Sequence, residues 1–169
     1  MTVTLETARL VLRRPIEADL EGWAVLDADA AATRFIGGTR NRADAWLGLA
    51  SAVGMWSLRG CGLFSVIDKA SGRWIGRIGA WLPEGAIGTE IGWALLPAAH
   101  GQGYATEGAG AAMRWAFEQL GWSEAIHRID TANLASIAVA ERLGSRWLRA
   151  EGEVQVYGQT LEAWRASLR

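Results

Sequence analysis

The segment from Glu90 to Thr106 carries the residues whose types and spacing fit a defined chemistry most directly. It runs from an apolar stretch, through a loop that contains Gly101 and Gly103, into a helical pattern. A strand that leads through such a loop into a helix presents unpaired backbone N–H groups at the positive end of the helix dipole. The two glycines have no Cβ, so the main chain can turn tightly and approach a diphosphate closely. The segment therefore predicts a phosphate site.

The usual nucleotide-binding motifs do not account for this loop. No Gly-Lys-Ser/Thr follows it, so it is not a Walker loop. Counting Gly-x-Gly-x-x-Gly from Gly101 puts Thr106 where the third glycine of a dinucleotide fingerprint should stand. An ordinary strand-to-helix turn is the alternative, but the position between a strand and a helix favours a functional loop.

The elements before this loop are read from the spacing of apolar residues. The alternation over Thr7–Arg13 predicts a half-buried strand that Pro15 ends. Asp19 is the expected N-cap of the next helix, and apolar residues three and four apart continue from Leu20 to Leu58 with a break at Gly37-Gly38. This part of the chain predicts two or three helices.

The second half predicts a meander followed by alternating strands and helices. A hairpin loop with Asp, Ser and Gly, a proline after a strand, and glycines that stop helices mark the boundaries. The predicted elements, in chain order, are strands at Gly62–Ile67, Arg73–Trp81 and Glu90–Leu96, a helix at Thr106–Leu120, a strand at Ala125–Asp130, a helix at Asn133–Leu143, and strands near Arg146–Ala150 and Gln159–Arg165.

Length and composition narrow the class of protein. The 169 residues, half of them hydrophobic, predict a single domain over 1–169. The net charge of −1, without a run of Lys or Arg, makes nucleic acid an unexpected partner. Cys61 is the only cysteine, so we expect no disulfide and a reducing compartment. Apolar stretches fall short of the roughly 18 residues of a membrane span, so we expect a soluble, cytoplasmic protein with no membrane partner.

Several motifs in order give the chain a family resemblance. His100-Gly-Gln-Gly-Tyr-Ala105 resembles the Arg/Gln-x-x-Gly-x-Gly/Ala acetyl-CoA loop of the GNAT superfamily. Leu5–Arg13 is similar to the N-terminal strand of the branch that includes the ribosomal-protein alanine acetyltransferases. Asn133-Leu-Ala-Ser136 and Glu141-Arg-Leu-Gly144 resemble the Asn-x-x-Ser and Glu-Lys-Leu-Gly patterns of the same branch.

The resemblance implies a fold, an activity and a donor. The fold would be the α/β GNAT fold, a mixed, mostly antiparallel sheet splayed at the central strand with helices on both faces. The activity would be direct transfer of acetyl from acetyl-CoA to a primary amine of a small molecule or a protein N-terminus. Apart from the resemblance, His127 has only His100 as a possible histidine partner, so we expect it to be structural or to face the substrate, and we expect no metal. The residues implied in cofactor binding are Leu95 and Leu96 for pantetheine, His100, Gly101, Gln102, Gly103, Tyr104, Ala105 and Thr106 around the diphosphate, Asn133 on the cofactor arm, and Arg142 on a phosphate.

Two departures from the family pattern leave alternatives open. His100 stands where Arg, Gln or an aromatic residue is usual, and Ala140 stands where many members have a tyrosine that protonates the leaving thiolate. Ser136 is the nearby substitute. The departures keep a non-catalytic acyl-CoA sensor as the rival function, and a binding module without CoA as a third. For Arg142, a solvated helix face is an equal alternative to a phosphate contact.

The remaining site residues are predicted from the chemical requirements of acyl transfer. An amine with a pKa of about 10.4 must lose a proton before it attacks a thioester, and Glu90 is the candidate base, with a merely solvated carboxylate as the alternative. A backbone N–H near Leu95 is the expected oxyanion donor, and Ser136 the donor to a thiolate with a pKa of about 8.5. One or two of the ten tryptophans are expected in an acceptor cleft. The acceptor is open, and so is a homodimer.

Overall fold

Eight strands form one mixed sheet in the computed structural model, which describes residues 3–168 of the chain. The strands are β1 Thr4–Glu6, β2 Leu10–Arg13, β3 Leu63–Asp68, β4 Trp74–Trp81, β5 Glu90–Leu95, β6 Glu124–Asp130, β7 Arg146–Glu151 and β8 Val154–Thr160. They lie in the order β1-β2-β3-β4-β5-β6-β8-β7. The helices are α1 Leu20–Ala28, α2 Ala30–Thr33, α3 Arg42–Arg59, α4 Tyr104–Gln119, α5 Leu134–Arg142 and α6 Leu161–Ser167, with single 3₁₀ turns at Glu17–Asp19 and Pro97–Ala99.

The centre of the sheet is open between β5 and β6. β5 pairs with β4 along its whole length, antiparallel, but it pairs with β6 only at Glu90 and Ile126, and there the strands are parallel. Every other pair of neighbouring strands is antiparallel. Beyond Glu90 the two strands diverge, which confirms the predicted mixed, mostly antiparallel sheet that is splayed at its central strand.

Helices cover both faces of this sheet. Arg77 and Ile78 are neighbours on β4, so their side chains point to opposite faces. Arg77 contacts Trp23 of α1 on one face, while Ile78 lies against Gly108 of α4 on the other. The main hydrophobic core lies between α4 and the sheet, and a smaller cluster of Trp23, Leu49 and Ala52 fills the α1 and α3 face.

The N-terminal prediction was wrong in one respect, because Thr7–Arg13 is not a single strand. β1 and β2 form an antiparallel hairpin, and Thr7 makes the turn: its backbone N–H donates to the Leu10 carbonyl at 3.0 Å and its hydroxyl oxygen accepts from Leu10 N–H at 2.9 Å. Asp19 precedes α1 but its side chain makes no capping bond to that helix. Its carboxylate binds Arg13 at 2.6 Å and Ser65 at 2.7 Å instead.

The C-terminal prediction also needs correction. The strand expected over Gln159–Arg165 is the end of β8 followed by α6, because the Thr160 side chain accepts from Ala163 N–H at 3.2 Å and caps a helix there. The other predicted elements are present, with α4 beginning two residues earlier than expected. Gly37 and Gly38, both with positive φ, lie between α2 and α3, so three helices occupy the predicted region.

No helix among residues 3–168 is long and apolar enough to cross a membrane. In the same part of the chain, no three or more His, Cys, Asp or Glu side chains are grouped so that they could hold a metal ion.

Phe64 tests the main core. Its side chain is fully buried and its ring lies 4.8 Å from Trp56 and 5.4 Å from Trp115. We expect Phe64→Ala to lower the free energy of unfolding by about 3–5 kcal/mol, because it removes apolar burial and leaves a cavity. Leu58→Ala, on a side chain that is 85% exposed, is the control and should change it by less than about 0.5 kcal/mol. Equal effects in urea denaturation would contradict this core assignment.

Candidate active site

A cleft of about 380 Å³ runs along the open side of β5. Its floor is the strand itself, from Glu90 to Ala94, and its rim comes from α1, the segment between α2 and α3, β6 and the start of α5. Glu90, Asn133 and Ser136 all line it, so three of the residues predicted from sequence share one space. Three tryptophans line it as well, Trp23, Trp81 and Trp93, which is more than the one or two expected.

The backbone of β5 leaves hydrogen-bonding groups unpaired on its open side. Leu96 N–H donates to the Ile75 carbonyl at 2.9 Å, so Leu96 and, by alternation, Ala94 direct their backbone groups toward β4. Trp93 and Leu95 therefore direct theirs toward the gap where β6 has diverged. These N–H and C=O groups could pair with an extended ligand.

Leu96 is not favoured as a backbone partner of such a ligand. Its N–H is bonded to β4, and its carbonyl oxygen accepts from Ala99 N–H at 2.8 Å in the 3₁₀ turn. The carbonyl oxygen of Leu95 lies 2.9 Å from His100 Nε2. Among residues 3–168 the groups left without a partner are therefore the N–H of Leu95, which is one of the two predicted residues, and both backbone groups of Trp93, which was not predicted.

The loop before α4 offers backbone N–H groups to an anion. Gly101 and Gly103 have φ of 71° and 79°, a left-handed region that favours glycine. The first hydrogen bond of α4 runs from Glu107 N–H to the Gly103 carbonyl at 3.0 Å, and Gly103 has no side chain to cap the helix. The N–H groups of residues 104–106 thus have no partner within the helix and point out of its N-terminus.

The side chains of the loop are turned toward the protein. His100 Nε2 contacts the Leu95 carbonyl, Gln102 Nε2 donates to the Ala98 carbonyl at 2.7 Å, and the Tyr104 hydroxyl donates to Asp68 at 3.3 Å. These contacts fix the shape of the loop and leave its main chain to face a ligand. The unusual histidine at position 100 is therefore a structural part of the loop.

Sequence reasoning missed Arg9. The Arg9 guanidinium donates to the Gln102 carbonyl at 2.9 Å and to Glu107 at 2.7 Å, and it lies 4.4 Å above the Tyr104 ring. Thr7 also donates to Glu107, at 2.6 Å. The N-terminal hairpin thus braces the glycine loop. No spacing in the sequence indicates this, because about ninety residues separate the partners.

Glu90 lies where the two strands separate. Its side chain is partly buried in the cleft, and this burial raises the pKa of its carboxyl to about 7. The positive charge and backbone N–H of Arg128 oppose the rise in pKa, and the negative charge of Glu151 adds to it. A carboxyl with a pKa near neutrality can both accept and release a proton.

Asn133 and Ser136 begin α5 at the other wall. Asn133 is the N-cap, and its side-chain oxygen accepts from Ser136 N–H at 3.2 Å. The hydroxyl oxygen of Ser136 accepts from the indole N–H of Trp93 at 3.2 Å, which leaves its hydrogen without an acceptor among residues 3–168. Arg142 is exposed in the last turn of α5 and does not line the cleft, and Ala140 is fully buried.

His127 and Cys61 are buried away from solvent. His127 Nδ1 lies 2.8 Å from the Ile91 carbonyl and Nε2 lies 3.0 Å from the Ser145 hydroxyl. Because a carbonyl only accepts, Nδ1 must carry the proton, and the Ser145 hydroxyl donates to Nε2. Burial lowers the pKa of His127 to about 4 and keeps the ring neutral. Burial raises the pKa of the Cys61 thiol, which lies in the core and outside the cleft.

Comparison with known proteins agrees with this geometry. The model of the acetyltransferase (GNAT) domain family matches residues 9–146. The chain belongs to the GNAT acetyltransferase family. A crystal structure of an acetyltransferase from Agrobacterium tumefaciens is 30% identical, with a TM-score of 0.85 over 93% of this chain and 94% of that one.

Further relatives share the fold of the chain or part of its sequence. The structure of the ribosomal L7/L12 acetyltransferase RimL with coenzyme A has a TM-score of 0.80 over 95% of this chain and 99% of that one, and at 16% identity this likeness shows the fold alone. FsC-acetyl coenzyme A-N(2)-transacetylase of Aspergillus fumigatus is 39% identical over 89 residues, 45% of this chain. The matched segment spans 37% of that relative's length and 56% of a second curated relative's length.

The raised pKa of Glu90 predicts a pH-dependent stability difference. Between pH 4.5 and about 7, the folded state holds a proton that the unfolded state releases, so this stabilising contribution is lost as pH rises through that window. Glu90→Gln stays neutral. We expect the unfolding free energy of the variant minus that of the parent to increase from pH 5 to pH 8, by at most about 3 kcal/mol.

Urea denaturation across that pH range measures this difference directly. Glu124→Gln, on an exposed carboxylate of β6, is the matched control and should give a flat difference. A flat difference for Glu90→Gln as well would mean that the carboxyl is solvated and that its pKa is ordinary.

Proposed function

We propose that this GNAT protein is a single-domain N-acetyltransferase that moves the acetyl group of acetyl-CoA directly to a primary amine. One observation carries the proposal: a carboxyl with a pKa of about 7 and a hydroxyl with a free hydrogen line one cleft, on either side of the unpaired edge of β5. A base, an acid and a backbone that can hold an extended donor are the parts that direct acyl transfer needs. The family match supports the choice of acetyl-CoA as donor.

The donor would lie across the N-terminus of α4 and along β5. The backbone N–H groups of residues 101–106 would bind the diphosphate, since helix N-termini stabilise anions. Pantetheine would pair with the open side of β5 at Trp93 and Leu95, and Asn133 would contact the same arm from α5. This arrangement directs the thioester toward Glu90 and Ser136.

Proton movements follow from the residues at the two walls. Glu90, through a water molecule, would take a proton from the amine as its nitrogen bonds to the acyl carbon. The N–H of Trp93 or Leu95 would donate to the oxygen that becomes negative. As the carbon–sulfur bond breaks, Ser136 would donate its hydrogen to the sulfur and regain one from solvent. Trp93 holds the serine oxygen so that this hydrogen faces away from the indole.

The proposal includes no covalent enzyme intermediate. Cys61 is buried outside the cleft, and Ser136 bonds to an indole rather than to a base. The name of the Aspergillus relative, a coenzyme A-dependent N-transacetylase, describes the same bond formation. Cytoplasmic location belongs to the same proposal.

Gly103→Val tests the diphosphate site. A β-branched residue is strained at a φ of 79° and shifts the N–H groups that face the ligand. We expect the affinity for acetyl-CoA, measured by calorimetry, to fall by about 10-fold or more. Gly152→Val introduces similar strain at a φ of 64° in the β7–β8 turn and should leave the affinity unchanged. If a folded Gly103→Val variant kept full affinity, the loop would not be the donor site.

Glu90→Gln tests the base. For the parent we expect kcat/KM to rise with pH along a limb with a pKa of about 7, because the base must be ionised. The variant should lose about 10²-fold or more in kcat with little change in acetyl-CoA affinity, and should lose that limb. Glu124→Gln is the control. Binding of acetyl-CoA without thiol release for any amine in a broad panel would favour the non-catalytic sensor.

A further inference from the structure

Two N–H donors at one end of the cleft have no acceptor. Trp23 Nε1 and Arg77 Nη1 are buried and make no hydrogen bond to any of residues 3–168. The two carboxylate oxygens of Asp27 are also buried without a hydrogen bond among these residues, although Oδ1 forms an ion pair with Arg77 Nη2. Both residues line the cleft and are more than nine-tenths buried, and the guanidinium lies 4.3 Å from the Trp23 ring centroid. An unpaired buried donor costs about 1–3 kcal/mol. Because the contact of Asp27 is with Nη2, a ligand that supplies acceptors can pair with Arg77 Nη1 and Trp23 Nε1.

The charge at this end of the cleft is positive. Asp27 lies 2.8 Å from Arg77 Nη2 and neutralises one guanidinium. Arg40, from the segment between α2 and α3, adds a second guanidinium at the cleft. Burial has the largest effect on the pKa of Arg77 and lowers it, and the positive charge of Arg40 lowers it further. The excess of one positive charge matches a group with one negative charge.

Arg77 and Glu90 lie toward opposite ends of the cleft face of the sheet. Arg77 pairs with Ala94, and Trp81 pairs with Glu90, so all four side chains point to the cleft face of the sheet. Four residues along a strand span about 13 Å, and the long side chain of Arg77 shortens the distance to the cleft centre. A ligand can therefore place one end near Glu90 and another near Arg77.

We propose that the acceptor carries a carboxylate as well as its amine, and that Arg77, Arg40 and Trp23 form the carboxylate subsite. This inference rests on the proposed acetyltransferase function and names its substrate class, amino acids and short peptides with a free C-terminus. A carboxylate has two oxygens with about four acceptor positions, which suit the fork of a guanidinium and an indole N–H. Phe35 and Ile36 give the neighbouring wall apolar surface for the acceptor side chain.

Matched acceptors test the subsite in the full-length protein. Leucine, phenylalanine, tryptophan and their glycyl dipeptides would each be compared with the corresponding C-terminal amide, by acetyl-CoA-dependent thiol release. We expect kcat/KM to favour the carboxylates by about 10-fold or more. The amide form of an amino acid is the more readily deprotonated amine, so intrinsic reactivity alone would favour the opposite order.

Arg40→Gln and Trp23→Phe separate recognition from folding. Arg40 is exposed, and phenylalanine keeps most of the packing of Trp23 while it removes the N–H. We expect each variant to lower kcat/KM for the carboxylates more than for the amides, so that the carboxylate preference falls by several-fold to 10-fold. Arg77→Gln should abolish the preference where it folds. Arg165→Gln, on the exposed face of α6, is the matched control.

A second readout keeps this inference separate from the proposed function. Binding of N-acetylphenylalanine and its amide to the protein would be measured by calorimetry, which requires no turnover. Selective binding of the carboxylate, lost in Arg40→Gln, would support the subsite even if no acceptor were acetylated. Equal turnover of the acids and the amides would overturn the carboxylate subsite. If no acceptor were turned over, equal binding of the two ligands, or binding of neither, would also overturn it.

Discussion

The divergence of β5 from β6 is the constraint on which the rest of the site depends. Once two strands stop pairing inside a folded domain, each backbone group on the facing edges needs another partner. A buried group that finds none lowers the stability of the fold by about 1–3 kcal/mol. The protein satisfies one of these groups with the imidazole of His127, which replaces a strand partner at the Ile91 carbonyl. Among residues 3–168, the N–H of Leu95 and both backbone groups of Trp93 have no such partner. An extended ligand with alternating donors and acceptors would supply these partners, which is why the proposed donor site follows the open edge.

The neutral state of His127 follows from the same constraint. Its Nδ1 hydrogen is committed to Ile91, so the other nitrogen must accept, and the Ser145 hydroxyl supplies the hydrogen. Gln159 then donates to the Leu143 carbonyl at 2.6 Å and lies 3.4 Å from the Ser145 oxygen. A charged imidazole would need an acceptor at Nε2 and would face a hydroxyl that must turn round. Burial and this hydrogen-bond network together keep His127 uncharged near neutral pH. The point at which β5 and β6 separate therefore does not depend on the protonation of this histidine.

The sequence predicted the parts of the site that local chemistry determines. The glycines at 101 and 103 are needed for left-handed backbone, and Asn133 caps a helix, so both signals lie within a few neighbouring residues. The resemblance implies Leu96 in pantetheine binding, but its N–H pairs with Ile75, and this cannot be read from β5 alone because strand parity depends on the partner strand. Arg9 and the cleft wall were missed for a related reason, since their contacts join segments that are distant in the chain.

Burial in one cleft acts on both of its charged ends. It raises the pKa of Glu90 and lowers the pKa of Arg77, and in each case it disfavours the charged form because water is excluded. An acceptor with an ammonium and a carboxylate brings the opposite charge to each end. The ammonium favours the ionised carboxylate of Glu90, and the acceptor carboxylate favours the charged guanidinium. The acceptor would therefore favour the ionised form of Glu90 as it binds. Glu90 would then be able to take the proton of the amine only when the amine is in place.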